Sequence, residues 1–248
     1  MNINGLGVKS RAPEEAYHKK MTNDATTGQS RRTASPDEER AGGEANQLDL
    51  LAIGNRLRVE RERRNVSVRE LARRINVSPS LISQVERGLV MPSVSTLWSV
   101  ASELDLTIDE LFSVSERSKR KAGPEEQGGP VQRSHSRKRI RLSGGVVWER
   151  LTAHADDEVE FLYVVYEPGA ESCPPDSLFR HGGKEYAYVM SGRLGLQIGF
   201  EKHELEAGDS VSFNAQTPHR LWAIGDEPAV AIWAVINRTN DGRVSFGG

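Results

Sequence analysis

Residues 56–112 read RLRVERERRNVSVRELARRINVSPSLISQVERGLVMPSVSTLWSVASELDLTIDELF, and this stretch decides the fold of the first half of the chain. It divides into short helices by its own punctuation. A first helix carries Leu50, Ile53 and Leu57 at helical spacing and ends near Arg64-Asn65. Ser67-Val68-Arg69-Glu70 is a capping box, in which the serine hydroxyl and the glutamate carboxylate answer free backbone N–H groups. It opens a second helix with the apolar stripe Val68, Leu71, Ala72 and Ile75, at i, i+3, i+4 and i+7. Asn76-Val77 is the turn. Ser78 caps a third helix with Pro79 at its first position, where a missing N–H costs nothing, and Gly88 stops it. Ser93 caps a fourth helix whose stripe is Val94, Leu97, Trp98, Ala101 and Leu104. A second capping box, Thr107 to Glu110, opens a fifth helix running through Phe112.

The third helix has two unlike faces. Leu81, Ile82 and Val85 are predicted to face inward, and Ser80, Ser83, Gln84 and Arg87 form a polar stripe. Short or planar hydrogen-bonding side chains of this kind suit base edges in a major groove, where glutamine can meet adenine with two bonds. Arg56, Arg58, Arg61, Arg63, Arg64, Arg69, Arg73 and Arg74 offer positive charge to phosphates, as do the N-termini of the second and third helices. The whole string, with its Ser-x-Ser-x-Ile-Ser-Gln-x-Glu-x-Gly core from Ser78 to Gly88 and the following Pro-Ser-x-x-Thr-Leu, resembles the Cro/C1-type (XRE) helix-turn-helix family. The resemblance implies a five-helix, lambda-repressor-like DNA-binding domain in which the third helix is the recognition helix. Its DNA-contacting residues would be Ser67, Arg69, Ser78, Pro79, Ser80, Ser83, Gln84 and Arg87. Where the family often carries a phosphate-touching glutamine, this chain has Val68, and Arg69 is expected to substitute. Glu86 is expected to pair with Arg61 as scaffold.

Outward from this stretch the composition changes. Residues 1–47 are rich in Ser, Thr, Gly, Asn and charge and are predicted to be a disordered tail, whether the chain starts at Met1 or at Met21. Residues 114–139, with Gly-Gly-Pro punctuation, read as a linker. Charge is uneven: residues 48–87 hold nine Lys+Arg against five Asp+Glu, residues 114–143 nine against three, and residues 144–248 eight against sixteen. A polyanion is therefore expected at the first half and repelled by the second. A single cysteine, Cys173, excludes an internal disulfide and thiolate metal clusters within one chain. No apolar run approaches the ~20 residues of a membrane span, and the expected location is the cytoplasm, with no membrane partner.

Residues 140–240 change period. Val159–Tyr166, Tyr186–Met190, Leu194–Ile198, Ser210–Phe213 and Ala229–Ile236 are short and β-rich, separated by Pro-Gly, Gly-Gly, Ser-Gly and Gly-Asp turns. Such a run predicts an all-β sandwich or barrel. Within it, His181, Glu185 and His219 are residue types that can bind one face of a metal and leave other positions open. The segment from Phe179 through His181, Glu185 and Gly192 resembles the first cupin motif, and Gly208-Asp209 through Pro218-His219 the second. Phe179 stands at the family's first histidine position, and Asn214, Gln216 and Ala223 depart from its second motif. The resemblance implies a double-stranded β-helix (jelly roll) with either one divalent metal ion on the three surviving ligand positions or none. Phe179, Tyr163, Tyr186, Tyr188, Trp222 and Trp233 are candidate pocket aromatics, with Phe179 and Tyr188 the chosen effector-pocket pair; core or dimer-interface roles are the competing reading. Cys173 has no assigned role.

Together the two resemblances describe a multidomain protein, all-α then all-β: residues 1–47 tail, 48–113 helix-turn-helix domain, 114–139 linker and 140–240 cupin sensor. The arrangement is similar to XRE–cupin transcriptional regulators. It implies no enzymatic activity, a double-stranded DNA operator, a small-molecule effector, and a homodimer presenting two recognition helices about 34 Å apart or a multiple of it. Repression is the expected mode. The alternative is a non-haem iron cupin oxidoreductase resembling hydroxypropylphosphonate epoxidase, which also joins such a domain to a His/Glu/His cupin.

Overall fold

The computed structural model describes residues 36–113, 129–156 and 158–237, with side chains in the first helix from Leu50 onward. Five α-helices come first: α1 (Pro36–Arg63), α2 (Val68–Arg74), α3 (Pro79–Glu86), α4 (Val94–Glu103) and α5 (Ile108–Ser113). Nine strands follow: β1 (Arg139–Arg141), β2 (Val146–Arg150), β3 (Val159–Tyr166), β4 (Lys184–Ser191), β5 (Arg193–Ile198), β6 (Glu201–Leu205), β7 (Ser210–Asn214), β8 (His219–Ile224) and β9 (Ala229–Ile236).

The helices begin where their caps place them. The hydroxyls of Ser67, Ser78 and Ser93 accept from the N–H groups of Glu70, Leu81 and Thr96. The box at α5 is complete: Thr107 N–H donates to Glu110 Oε2 at 2.8 Å and Glu110 N–H to Thr107 Oγ1 at 3.1 Å. The box at α2 is only half formed. Glu70 turns away from the cap because Arg73 and Arg74, one turn on, offer its carboxylate charged donors at 2.7–3.0 Å. Gly88 takes φ +64°, the left-handed conformation that ends α3. α1 starts at Pro36, within the segment expected to be a disordered tail up to residue 47. Proline at the first position and Asp37, Glu38 and Glu39 in the first turn favour a helix start there. Residues 1–35 and 114–128, the rest of the expected tail and most of the linker, lie outside the described residues.

Ile53, Leu57, Leu71, Ile75, Ile82, Val85, Leu97, Leu104, Leu111 and Phe112 form the helical core. α1 and α3 approach backbone to backbone at Gly54. A Cβ there would stand 2.3 Å from the Val85 carbonyl oxygen, so only glycine fits.

All strand pairings among the described residues are antiparallel. One sheet has the order β1-β2-β3-β9-β4-β7 and the other β6-β5-β8. Along β4, Glu185, Ala187 and Val189 are buried and Lys184, Tyr186, Tyr188 and Met190 are exposed, the period-2 pattern of a half-buried strand. The two sheets face each other as a jelly roll around Leu162, Val164, Phe179, Leu194, Leu196, Leu221 and Trp233. From Gly42 onward the helical and β regions form one compact unit. Hydrogen bonds that join them include Ser95 N–H to the Ser172 carbonyl (3.2 Å), Ser143 N–H to the Pro92 carbonyl (3.0 Å), Ile108 N–H to Glu160 Oε1 (3.1 Å) and Asp156 N–H to Asp109 Oδ2 (2.8 Å).

Candidate functional site

The polar side of α3 is open. Ser67, Arg69, Ser78, Pro79, Ser80 and Arg87 are exposed and Ser83 and Gln84 half-buried, while Ile82, Val85 and Glu86 are buried behind them. Leu81, expected inward, is only half-buried and packs at the edge of the core. Glu86 and Arg61 form a buried two-pronged pair, 2.5 and 2.9 Å, and Arg61 Nη1 also donates to the Val66 carbonyl at 2.8 Å. That pair ties α3 to α1, and the bond to Glu86 raises the Arg61 pKa further.

The arginines expected to serve phosphates are mostly occupied. Arg56 binds Glu110, Arg58 binds Glu62, Arg63 and Arg64 bind Glu60, and Arg73 and Arg74 bind Glu70, with Arg74 also on Glu103. The pull of Arg73 and Arg74 holds the Glu70 carboxyl down at about 2. Among the described residues, Arg69 and Arg87 have no acidic partner; Arg87 bonds only the Ser83 carbonyl, at 3.1 Å. The positive charge that no acidic group claims therefore lies on α2, at Arg69, and at the C-terminal end of α3, at Arg87.

The second cluster lies inside the jelly roll. Glu185 points inward from β4, His219 begins β8, and His181 precedes β4. All three are buried, and one ligand atom from each lies within 4.8 Å of the others. His181 Nε2 is 2.7 Å and His219 Nε2 3.3 Å from Glu185 Oε1. Each histidine has its Nδ1 2.9 Å from a backbone carbonyl, that of Gly182 for His181 and of Thr217 for His219. With Nδ1 as the donor in each, both Nε2 lone pairs turn toward the same point. The other carboxylate oxygen accepts from Trp233 Nε1 at 2.8 Å, which fixes the Glu185 rotamer. His219 Nε2 has no well-formed hydrogen bond although fully buried. A metal ligand position explains that orphaned atom, and outer hydrogen bonds of this kind commonly orient metal-binding histidines and carboxylates. The residues thus fit a two-histidine, one-carboxylate cation site. Burial alone would raise the Glu185 pKa, but the neighbouring His219 and His181 outweigh it and hold the group ionised; burial likewise opposes charge on His219, yet Glu185 raises its pKa.

Phe179, at the place of a fourth ligand, packs its ring 4.5 Å from that of His219 and closes one side of the site. The neighbouring cavity is small, about 30 Å³, and lined by Phe179, His181, Glu185, Trp148, Trp233 and Trp98 among others. Tyr188 is not part of it. The alternation that turns Glu185 inward turns Tyr186 and Tyr188 outward, and Tyr188 is 50% exposed on the far side of the sheet. Tyr163 also faces out, under the Arg137 guanidinium, and Trp222 covers Gly195 on the smaller sheet. The pair expected to line an effector pocket is therefore split between two faces. Trp148 and Trp98 were missed: β2 is buried at every position and so shows no alternation, and Trp98 reads as one more residue of an α4 stripe. Cys173 is buried, and burial pushes its thiol pKa up, so it is an unreactive core residue.

A helix-turn-helix joined to a cupin, with an open recognition face on one and a buried His/Glu/His cluster in the other, is the domain pair of a transcriptional regulator. The HTH_3 helix-turn-helix family matches residues 57–111 and the Cupin_2 family matches residues 162–235, so the chain carries both domains. It is similar to the HTH-type transcriptional regulator PuuR of Escherichia coli, 27% identical over 171 residues, covering 68% of this chain and 86% of that one. It is 22% identical to the HTH-type transcriptional regulator SutR of the same organism over 185 residues, 75% of this chain and 94% of that one. A solved HTH_3 family transcriptional regulator from Vibrio cholerae shares the fold with a TM-score of 0.56 at 22% identity, over 78% of this chain and 99% of that one.

Proposed function

We propose that this protein is a sequence-specific DNA-binding transcriptional regulator whose cupin binds a small-molecule effector through a divalent metal ion. The observation that carries the reading is the solvent-open polar side of α3, with Arg69 and Arg87 unclaimed beside it. Pro79, Ser80, Ser83 and Gln84 would meet base edges, and Ser67, Arg69, Ser78 and Arg87 would hold the backbone. Repression is the proposed mode, since occupying an operator excludes polymerase without any further contact surface. His181, Glu185 and His219 would hold the metal, which would supply open coordination positions to the effector.

The proposed assembly is a homodimer through the outer face of the six-stranded sheet. Phe161, Tyr186 and Tyr188 line a groove of about 470 Å³ there with no charged residue in its lining; Met190 is exposed further along β4, and Lys184 lies at the rim over the Tyr186 ring. Exposed aromatics and methionine, with charge confined to the rim, are the composition of an interface centre. Two copies would then present two α3 helices to a palindromic site.

The deciding experiment is selection of bound duplexes from a random pool by the full chain, repeated with Gln84→Ala. A palindromic consensus that loses preference at one base pair per half-site, by about 1–3 kcal/mol, is the expected result. Recovery of no consensus would overturn the reading. A second reading, a non-haem iron oxidoreductase, is favoured by the same His/Glu/His set, whose three ligands would leave coordination positions open. Stoichiometric iron, oxygen-dependent turnover and no DNA binding would establish it instead.

A further inference from the structure

Ten of the twelve residues lining the cupin cavity belong to the β domain; the other two, Val94 and Trp98, come from α4 of the helical domain. Trp98 is 3% exposed, and its ring lies 4.3 Å from that of His181 and edge-on to Trp148 at 5.7 Å. The tryptophan of the DNA-binding domain is thus stacked on a residue of the cation site. Around it, Ser95 N–H and the Pro92 carbonyl bond to the β domain at Ser172 and Ser143, and Ile108 N–H bonds to Glu160.

The space that remains holds about two waters at 30 Å³. A three-ligand site leaves further coordination positions, so an ion with water fits but an organic molecule does not while the indole is in place. The lining strands are locked into hydrogen-bonded ladders, so moving them apart would break the barrel. Val94 and Trp98 can leave by movement of one domain against the other.

We propose that Trp98 is a plug supplied by the DNA-binding domain: an effector that fills the cavity lined by His181 and Glu185, beside His219, expels the indole and undocks α4 from the barrel. This rests on the reading of the three residues as a metal and effector site. It gives that site a regulation. Effector and docked α4 compete for one volume, so the effector favours the undocked arrangement, and by linkage whatever stabilises docking weakens effector binding. α4 packs against α2, and α2 packs against α3, with Leu97, Ala101, Leu71, Ala72, Ile82 and Val85 all buried in the core, so undocking α4 moves the recognition helix relative to the barrel through α2.

The test uses the full chain loaded with zinc, with imidazole as the probe for the open position. Hydrogen exchange is followed at the amides of Ser95, Ile108 and Ser143, and imidazole affinity by calorimetry. In the wild type, imidazole is expected to speed exchange at those three amides and leave α3 unchanged. Trp98→Ala is expected to show fast exchange there without imidazole and to bind it about tenfold more tightly, the factor expected if nine molecules in ten are docked. Trp98→Phe, which keeps an aromatic ring and the packing of α4, is expected to fall between, and it serves if the alanine variant unfolds. Equal imidazole affinity in the wild type and both variants, with unchanged exchange, overturns the plug alone. Zinc binding that is absent, or that survives His181→Ala and His219→Ala, overturns the metal reading and the plug with it.

Discussion

Arg69 and Arg87 stand apart from the other arginines of the helical domain because nothing acidic among the described residues holds them. Several of the pairings that occupy the rest were legible in the sequence: Arg58–Glu62, Glu60–Arg64 and Glu70–Arg74 are i, i+4 neighbours on a helix. Arg56–Glu110 and Arg74–Glu103 were not, since they join helices whose packing the sequence does not display. Arg69→Ala is expected to weaken binding about equally on all duplexes and to lower the slope of log affinity against log salt by about 1, read by titrations at several salt concentrations. Glu60 supplies a pH dependence. The hydrogen bond from Arg63, joined by Arg64, outweighs burial and lowers its pKa from 4.5 to about 2 in the folded protein. A depressed carboxylate stabilises the fold above its unfolded pKa and loses that contribution as pH falls through the folded value. Stability to urea should therefore decline from about pH 5 toward pH 2, and Glu60→Gln should flatten the decline.

At the scale of elements, helices announced themselves by their ends. Ser67, Ser78, Ser93 and Thr107 each cap the helix they were expected to open, because a cap is a local bond between residues three apart. Strands did so only where one face is buried. β3 and β9 have the bounds read from the sequence, whereas β6, Glu201–Leu205, is polar and exposed along nearly its whole length and left no pattern. The outward turn of Tyr188 follows from Glu185 by simple alternation once the strand is continuous between them. Gly54 gave a fainter sign, a glycine inside a helical apolar pattern, and its meaning is the contact with the Val85 carbonyl. Gly54→Ala is expected to force α1 and α3 apart and to destabilise the helical domain by about 1–3 kcal/mol, measured as a lowered urea midpoint.

For the whole molecule, the two domain types were legible and their mutual docking was not. Trp98 serves a stripe that any amphipathic helix would show, and only the folded chain reveals that it reaches the other domain. The proposed dimer is tested at this scale. Tyr188→Glu puts a charge in the centre of the exposed sheet face without touching the barrel interior. It is expected to yield monomers in sedimentation and to reduce operator affinity sharply, with the isolated fold intact by circular dichroism.

The strand order carries a consequence for biosynthesis. β9 lies between β3 and β4 and pairs with both along eight and seven positions. Among the described strands it is also the last to leave the ribosome. Until Ala229–Ile236 has emerged, β3 and β4 each present a bare, apolar edge, which is a template for association with other nascent chains. Premature termination before residue 229 would therefore leave the helical domain attached to an aggregation-prone half-barrel, and the cell's exposure to that species lasts until β9 has been made.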